Sequence, residues 1–111
     1  MPDEPRFTRS AETSVVEMAP GIFRRTLGWA DRMLVAEVSL AKGSIVQPHA
    51  HPHEQVGYVA QGRLQFTIGE ATAVLERGDG YAIPGGVSHS VVALADSIAV
   101  DVFSPVRQEY K

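Results

Sequence analysis

The chain has no cysteine, so disulfides and thiolate metal ligands are both excluded. Any metal it holds must sit on histidine, carboxylate, amide or backbone oxygen. It also lacks an apolar run of about 18 residues, which leaves no candidate for a membrane-spanning helix. Met1 to Ser14 is polar, contains Asp3 and Glu4, and has no apolar stretch of the kind a signal peptide needs. A cytoplasmic protein with no membrane partner is expected. A basic excess is missing too. Ten Lys and Arg against 13 Asp and Glu give a formal net charge of −3, which argues against nucleic acid as a partner. Helical periodicity is scarce. With 111 residues there is room for one domain and none for a separate regulatory or cofactor domain.

Short runs rich in valine, isoleucine, leucine and aromatics, broken by glycine, proline and aspartate, fill the chain instead. They predict strands at 21–29, 33–40, 55–60, 63–69, 71–76, 81–84, 88–94 and 97–103. About eight strands at this spacing predict an all-β sandwich or barrel. In 33–40 the residues Leu34, Ala36, Val38 and Leu40 make one apolar face, with Glu37 and Ser39 alternating against it. In 97–103 the set Ile98, Val100 and Val102 is apolar, and the other face carries Ser97, Ala99, Asp101 and Phe103. A charge and an aromatic on one inward stripe mark a candidate pocket wall. Residues 1–20 read as an N-terminal arm with room for a first strand at Thr13–Met18, and residues 21–111 as the single domain. Ser104–Lys111 either crosses the barrel mouth or frays.

The four histidines concentrate the chemistry. His49 and His51 are two apart, so on an extended strand both point to the same side, and Gln55 keeps that parity. A fourth ligand from another strand falls to His89. Three imidazoles and an amide oxygen suit a divalent transition metal such as Ni, Zn, Fe, Mn or Co. Four protein ligands in an octahedral arrangement leave two open positions, as catalytic sites do. His53, between Pro52 and Glu54, is expected to be structural. Trp29, at the turn before Ala30-Asp31, is expected to serve packing or an interface.

Two segments resemble the paired motifs of the cupin superfamily. Gly43, five residues, then His49-Ala-His51, closed by Gly62, matches the first. Gly78, five residues, then Pro84-x-Gly86-x-x-His89 matches the second without a gap. With glycine near 7% and proline near 5% of residues, the Gly-Pro-Gly skeleton alone arises at a given start about 2 times in 10,000. The resemblance covers residues 30–103 and implies a double-stranded β-helix, the jelly-roll barrel. Two positions depart from the usual pattern: Gln55 stands where the family usually has Glu, and Ala93 where it often has Asn. A neutral amide leaves the metal's double charge intact, which makes a stronger Lewis acid and a better receptor for an anion.

The stretches His49-x-His-Pro-His-Glu-Gln55-x-Gly-Tyr, Ile83-Pro-Gly-Gly-Val-x-His89 and Asp101-Val-Phe-Ser-Pro-x-Arg107 are together similar to the small KdgF-type pectin-degradation cupins. That resemblance implies linearisation and ketonisation of 4,5-unsaturated monouronates from pectin or alginate. On it, His49, His51, Gln55 and His89 bind metal, and Asp101, Phe103 and Arg107 line the catalytic pocket. Asp101 would move a proton, Phe103 would pack on the sugar, and Arg107 would pair with the substrate carboxylate. Arg24 or Arg25 could assist, but strand neighbours face opposite ways, so at most one points inward. Two other functions stand beside this one: an iron-dependent cupin dioxygenase, and a non-catalytic small-ligand module. Small cupins commonly pair, and open sheet edges invite pairing, so a homodimer is expected.

Overall fold

A computed structural model of the chain describes residues 4–111. Ten strands run in order: β1 (Val16–Ala19), β2 (Ile22–Trp29), β3 (Leu34–Leu40), β4 (Ile45–His49), β5 (Glu54–Gln61), β6 (Arg63–Ile68), β7 (Ala71–Glu76), β8 (Gly80–Ile83), β9 (His89–Ala93) and β10 (Ser97–Ser104). Short 3-10 turns lie at Ser10–Glu12 and Gln108–Tyr110. Six strands form one sheet in the order β1-β2-β3-β10-β5-β8, and four form a second in the order β4-β9-β6-β7. The pairings are antiparallel. The two sheets make a β-sandwich, the all-β class that the strand spacing predicts.

Alternation sets which side chains enter the sandwich. β10 lies between β3 and β5 and buries Ser97, Ala99, Asp101 and Phe103, while Ile98, Val100 and Val102 are only partly covered. The polar-containing stripe is therefore the inward one. β3 buries Leu34, Ala36 and Leu40 on its inner face. The main core joins Ile22, Leu40, Val59, Leu64, Phe66, Val91, Ala93 and Ala99 across both sheets. Each large aliphatic side chain buried there stabilises the fold by roughly 1.5–3 kcal/mol. A second cluster, Leu34, Ala36, Phe103, Val106 and Tyr110, lies where the C-terminal turn packs. Gly62 makes the one-residue connection from β5 to β6 at φ +90°, where a Cβ would come within 2.7 Å of the Ser97 Cα. That conformation and that approach both require glycine.

Two expectations are corrected, and one open alternative is decided. The described residues form ten strands, not about eight. One of the added strands is Ile45–His49, a short run that holds Gln47 and Pro48 and whose pairing with β9 shifts register between Val46 and His49, so it carries no clear alternation. The first strand starts later than Thr13, at Val16, and extends to Ala19. The C-terminal segment does not fray: Val106 and Tyr110 are buried, and the Thr26 hydroxyl donates to the Tyr110 carbonyl.

Candidate metal centre and its pocket

β4 ends at His49, and His51 lies in the connection to β5, so the two histidines do not share a strand. Strand alternation is not what brings them together. The register shift near the end of β4 turns His49 against His89, its partner at the start of β9, and the following loop folds His51 back over both. The ring centroids of His49 and His89 are 4.2 Å apart, and those of His51 and His89 are 4.8 Å apart.

Each imidazole is oriented by a backbone carbonyl. The Nδ1–H of His49 donates to Gln47 at 3.0 Å, that of His51 to His53 at 3.0 Å, and that of His89 to Val87 at 2.9 Å. A carbonyl only accepts, so the proton sits on Nδ1 in all three rings and every Nε2 carries a lone pair. One nitrogen from each ring lies within 4.8 Å of one from each of the others. The Nε2 of His89 is buried and has no hydrogen-bond partner. Three acceptors converging on one point, one of them buried and unsatisfied, fit a bound cation and little else. These histidines could therefore hold a metal ion.

Gln55 lies beside the three rings. Its Oε1 is 3.1 Å from the His51 Nε2, a contact between two acceptors once the ring proton is on Nδ1. Two ligand atoms about 2.1 Å from a metal and at right angles are about 3.0 Å apart, so the spacing is that of neighbouring ligands. The Gln55 amide nitrogen end lies on the side of Asp101, a diagonal neighbour on the inner face of β10 that lines the same cavity.

Asp101 is buried and also accepts the Tyr81 hydroxyl on Oδ1. Burial pushes its proton affinity above the ordinary carboxylate range, while the hydrogen bonds from Tyr81 and Gln55 and the charge of Arg107 oppose that rise. Burial lowers the proton affinity of His51 and of His89, and the Arg107 charge adds to both effects. His49, Gln55, His89, Asp101, Phe103 and Arg107 line one cavity. The Phe103 ring packs edge-on against His51. The Arg107 guanidinium lies over Phe103 and, at 4.1 Å, over Tyr110, and its Nε donates to Glu109 at 2.7 Å.

The remaining candidates separate cleanly. His53 lends its carbonyl to His51. Arg24 turns inward, with its guanidinium 4.0 Å from the centre of the Tyr110 ring, while Arg25 turns away to Ser10 and Thr13. Two cavity residues escaped the sequence reading. Tyr81 alternates with the buried Ile83 on β8, a signal that could have marked it; Tyr110 sits in a polar tail with no periodicity to betray it.

A model of the cupin domain family matches residues 36–104. This chain is a cupin. Over 107 residues it is 36% identical to the pectin degradation protein KdgF of Dickeya dadantii, covering 95% of this chain and 97% of that protein. The structure of KdgF from a Halomonas species matches this cupin with a TM-score of 0.92 at 30% identity, over 97% of this chain and 100% of that one. The crystal structure of an RmlC-like cupin from Shewanella frigidimarina matches it with a TM-score of 0.92 at 29% identity, covering all of both chains. Within the family, this cupin belongs with the KdgF-like proteins.

Proposed function

We propose that this cupin is a cytoplasmic, metal-dependent enzyme that converts 4,5-unsaturated monouronates from pectin or alginate to their open, ketonised forms. One observation carries the reading: three histidine nitrogens and the Gln55 oxygen converge beside Asp101, Phe103 and Arg107, in a chain alike over nearly its whole length to KdgF.

His49, His51, Gln55 and His89 would hold the divalent ion (Ni, Zn, Fe, Mn or Co). When bound, it supplies Lewis-acid polarisation of substrate oxygens. Gln55 adds no negative charge to this set, which favours an anionic substrate. The conversion is an isomerisation. The C1–O5 bond of the cyclic hemiacetal breaks, and the C1 hydroxyl loses its proton as the aldehyde forms. The freed enolate becomes the C5 ketone as C4 gains a proton, so one proton leaves the C1 hydroxyl, one arrives at C4, and no atom is gained or lost overall. Asp101 is the group that moves protons, and its raised proton affinity brings it nearer to neutrality, where such transfer is effective. Arg107 forms a bidentate pair with the substrate carboxylate. Phe103 packs on the sugar and keeps water out.

The test follows the ultraviolet absorbance of the conjugated double bond, with metal-loaded and metal-stripped protein side by side. Loss faster than the spontaneous reaction, and only with metal, is expected. No acceleration at full metal occupancy would remove the uronate substrate and make oxygen uptake with iron the next assay.

The working form is a homodimer paired through the outer face of the larger sheet. Val56, Val102 and Val35 stand in one cross-strand row there. Val56 is 50% exposed and the nearby Tyr58 48% exposed, unusual for such side chains on a free sheet face. Sedimentation should give twice the 12.0 kDa chain mass. The double substitution Val56→Asp and Tyr58→Asp is expected to give the single-chain mass with the fold kept.

A further inference from the structure

Tyr81, Gly57, Asp101 and Ala36 form one cross-strand row over β8, β5, β10 and β3. Neighbouring strands lie about 4.8 Å apart, so Tyr81 and Asp101 are two strand spacings from each other. An ordinary side chain between them would fill the gap. Gly57 leaves it open, and the phenol reaches across to Asp101 Oδ1. A Cβ added at Gly57 would stand 2.4 Å from the Val100 carbonyl oxygen, 2.6 Å from that carboxylate oxygen and 2.7 Å from the Tyr81 hydroxyl, so the position admits no side chain. The φ of Gly57 is not in the left-handed region, so the glycine serves this close approach rather than a turn. The Tyr81 ring is held from behind by Phe66, with centroids 4.2 Å apart.

The chain of contacts does not stop at Asp101. Asp101 and Gln55 are diagonal neighbours on the inner faces of β10 and β5 and line one cavity, and the Gln55 oxygen faces His51 Nε2 at 3.1 Å, which leaves its amide nitrogen to turn toward the carboxylate. An amide side chain can be turned end for end at little steric cost, and only its oxygen can ligate a metal. Whatever fixes the nitrogen end therefore fixes the ligand. A carboxylate oxygen that accepts the amide N–H does this. It also accounts for glutamine at position 55: a carboxylate there would face that of Asp101.

We propose that Tyr81 is a positioning residue, which anchors Asp101 across Gly57 so that Asp101 turns the oxygen of Gln55 toward the metal. This rests on the metal centre proposed above, and not on the uronate substrate. It makes Asp101 serve both the metal ligand and the proton transfer.

Cobalt(II) tests it, because its visible absorption reports the ligand set directly. Wild type, Tyr81→Phe and Asp101→Asn are titrated with cobalt alone, recording the spectrum and the dissociation constant. Tyr81→Phe keeps the ring on Phe66 and removes only the hydroxyl. Asp101→Asn offers Gln55 an N–H as well as an oxygen, and so lets its amide reverse. Both variants are expected to shift the bands and to weaken cobalt binding by roughly 10-fold, as loss of an outer partner does. Wild-type spectra and affinity in both variants would overturn the proposal and leave the metal centre standing. A shift in Asp101→Asn alone, with Tyr81→Phe folded, removes Tyr81 from the chain and likewise overturns it. Should Tyr81→Phe fail to fold, a wild-type spectrum in Asp101→Asn overturns the proposal and a shifted one supports it. A wild-type protein that takes up no cobalt overturns the metal centre and this inference together.

Discussion

The Asp101→Ala protein, at saturating metal, is expected to turn over a 4,5-unsaturated monouronate roughly 10²- to 10⁴-fold more slowly than wild type, the range that a positioned proton-transfer group supplies. Asp101 lies in the cavity beside Gln55 and Phe103, on the inner face of β10, and the Tyr81 hydrogen bond limits its freedom to turn. Its removal subtracts chemistry more than binding, so kcat should carry the loss and KM should change little. Arg107→Ala divides the other way. Losing a charged pair to the substrate carboxylate should raise KM by about 10- to 100-fold. Lysine at 107 should not restore it, since an ammonium lacks the planar fork. The check is a full substrate curve for each variant by loss of ultraviolet absorbance. Full turnover in a folded, metal-loaded Asp101→Ala protein would falsify the proton-transfer role.

The second large effect concerns the metal itself. At a free concentration 100 times its dissociation constant, an ion bound only by the folded chain stabilises it by about 2.7 kcal/mol. For a domain of this length that raises Tm by about 10 °C. His89→Ala should abolish the rise, since it removes the Nε2 buried with no other partner at the centre of the cluster. The same Nε2 lone pairs make uptake pH-dependent. Burial holds His51 and His89 below the ordinary imidazole range, so both rings are neutral at pH 7 and protons do not compete there. Competition at these two rings sets in at lower pH than at an ordinary imidazole, and metal affinity should decline as the pH falls into that range. Thermal unfolding with and without added ion, from pH 8 to pH 5, measures both effects. A metal-dependent Tm rise that survives in His89→Ala would remove His89 from the ligand set.

Much of the fold was legible from residue order alone. Period-two alternation in Leu34–Leu40 and Ser97–Ser104 marks β3 and β10, and it identifies the Asp101 and Phe103 stripe as the inner one. Alternation is a local consequence of strand geometry, which is why it can be read without coordinates. β4 was not legible as a strand of its own, because five residues with a proline and a register shift leave too short a pattern. His49 and His51 are neighbours, but not through strand parity. The rings meet through a loop and a register shift, which alternation cannot describe.

The sequence by itself determined the chemistry this protein can offer. With no cysteine and four histidines, two of them flanking Ala50 and one closing a glycine-proline motif, a metal centre had to be built from imidazole and oxygen. Only the tertiary structure decided how that centre is held. The carbonyls of Gln47, His53 and Val87 choose the ring tautomers, and the row from Tyr81 over Gly57 to Asp101 ties down the amide of Gln55. The C-terminal turn brings Tyr110 between Arg24 and Arg107 in the same way. These contacts join residues on different strands, whose register depends on the whole sheet. No local pattern encodes which side chains will stand opposite one another, and orientation at a metal centre is set by that opposition.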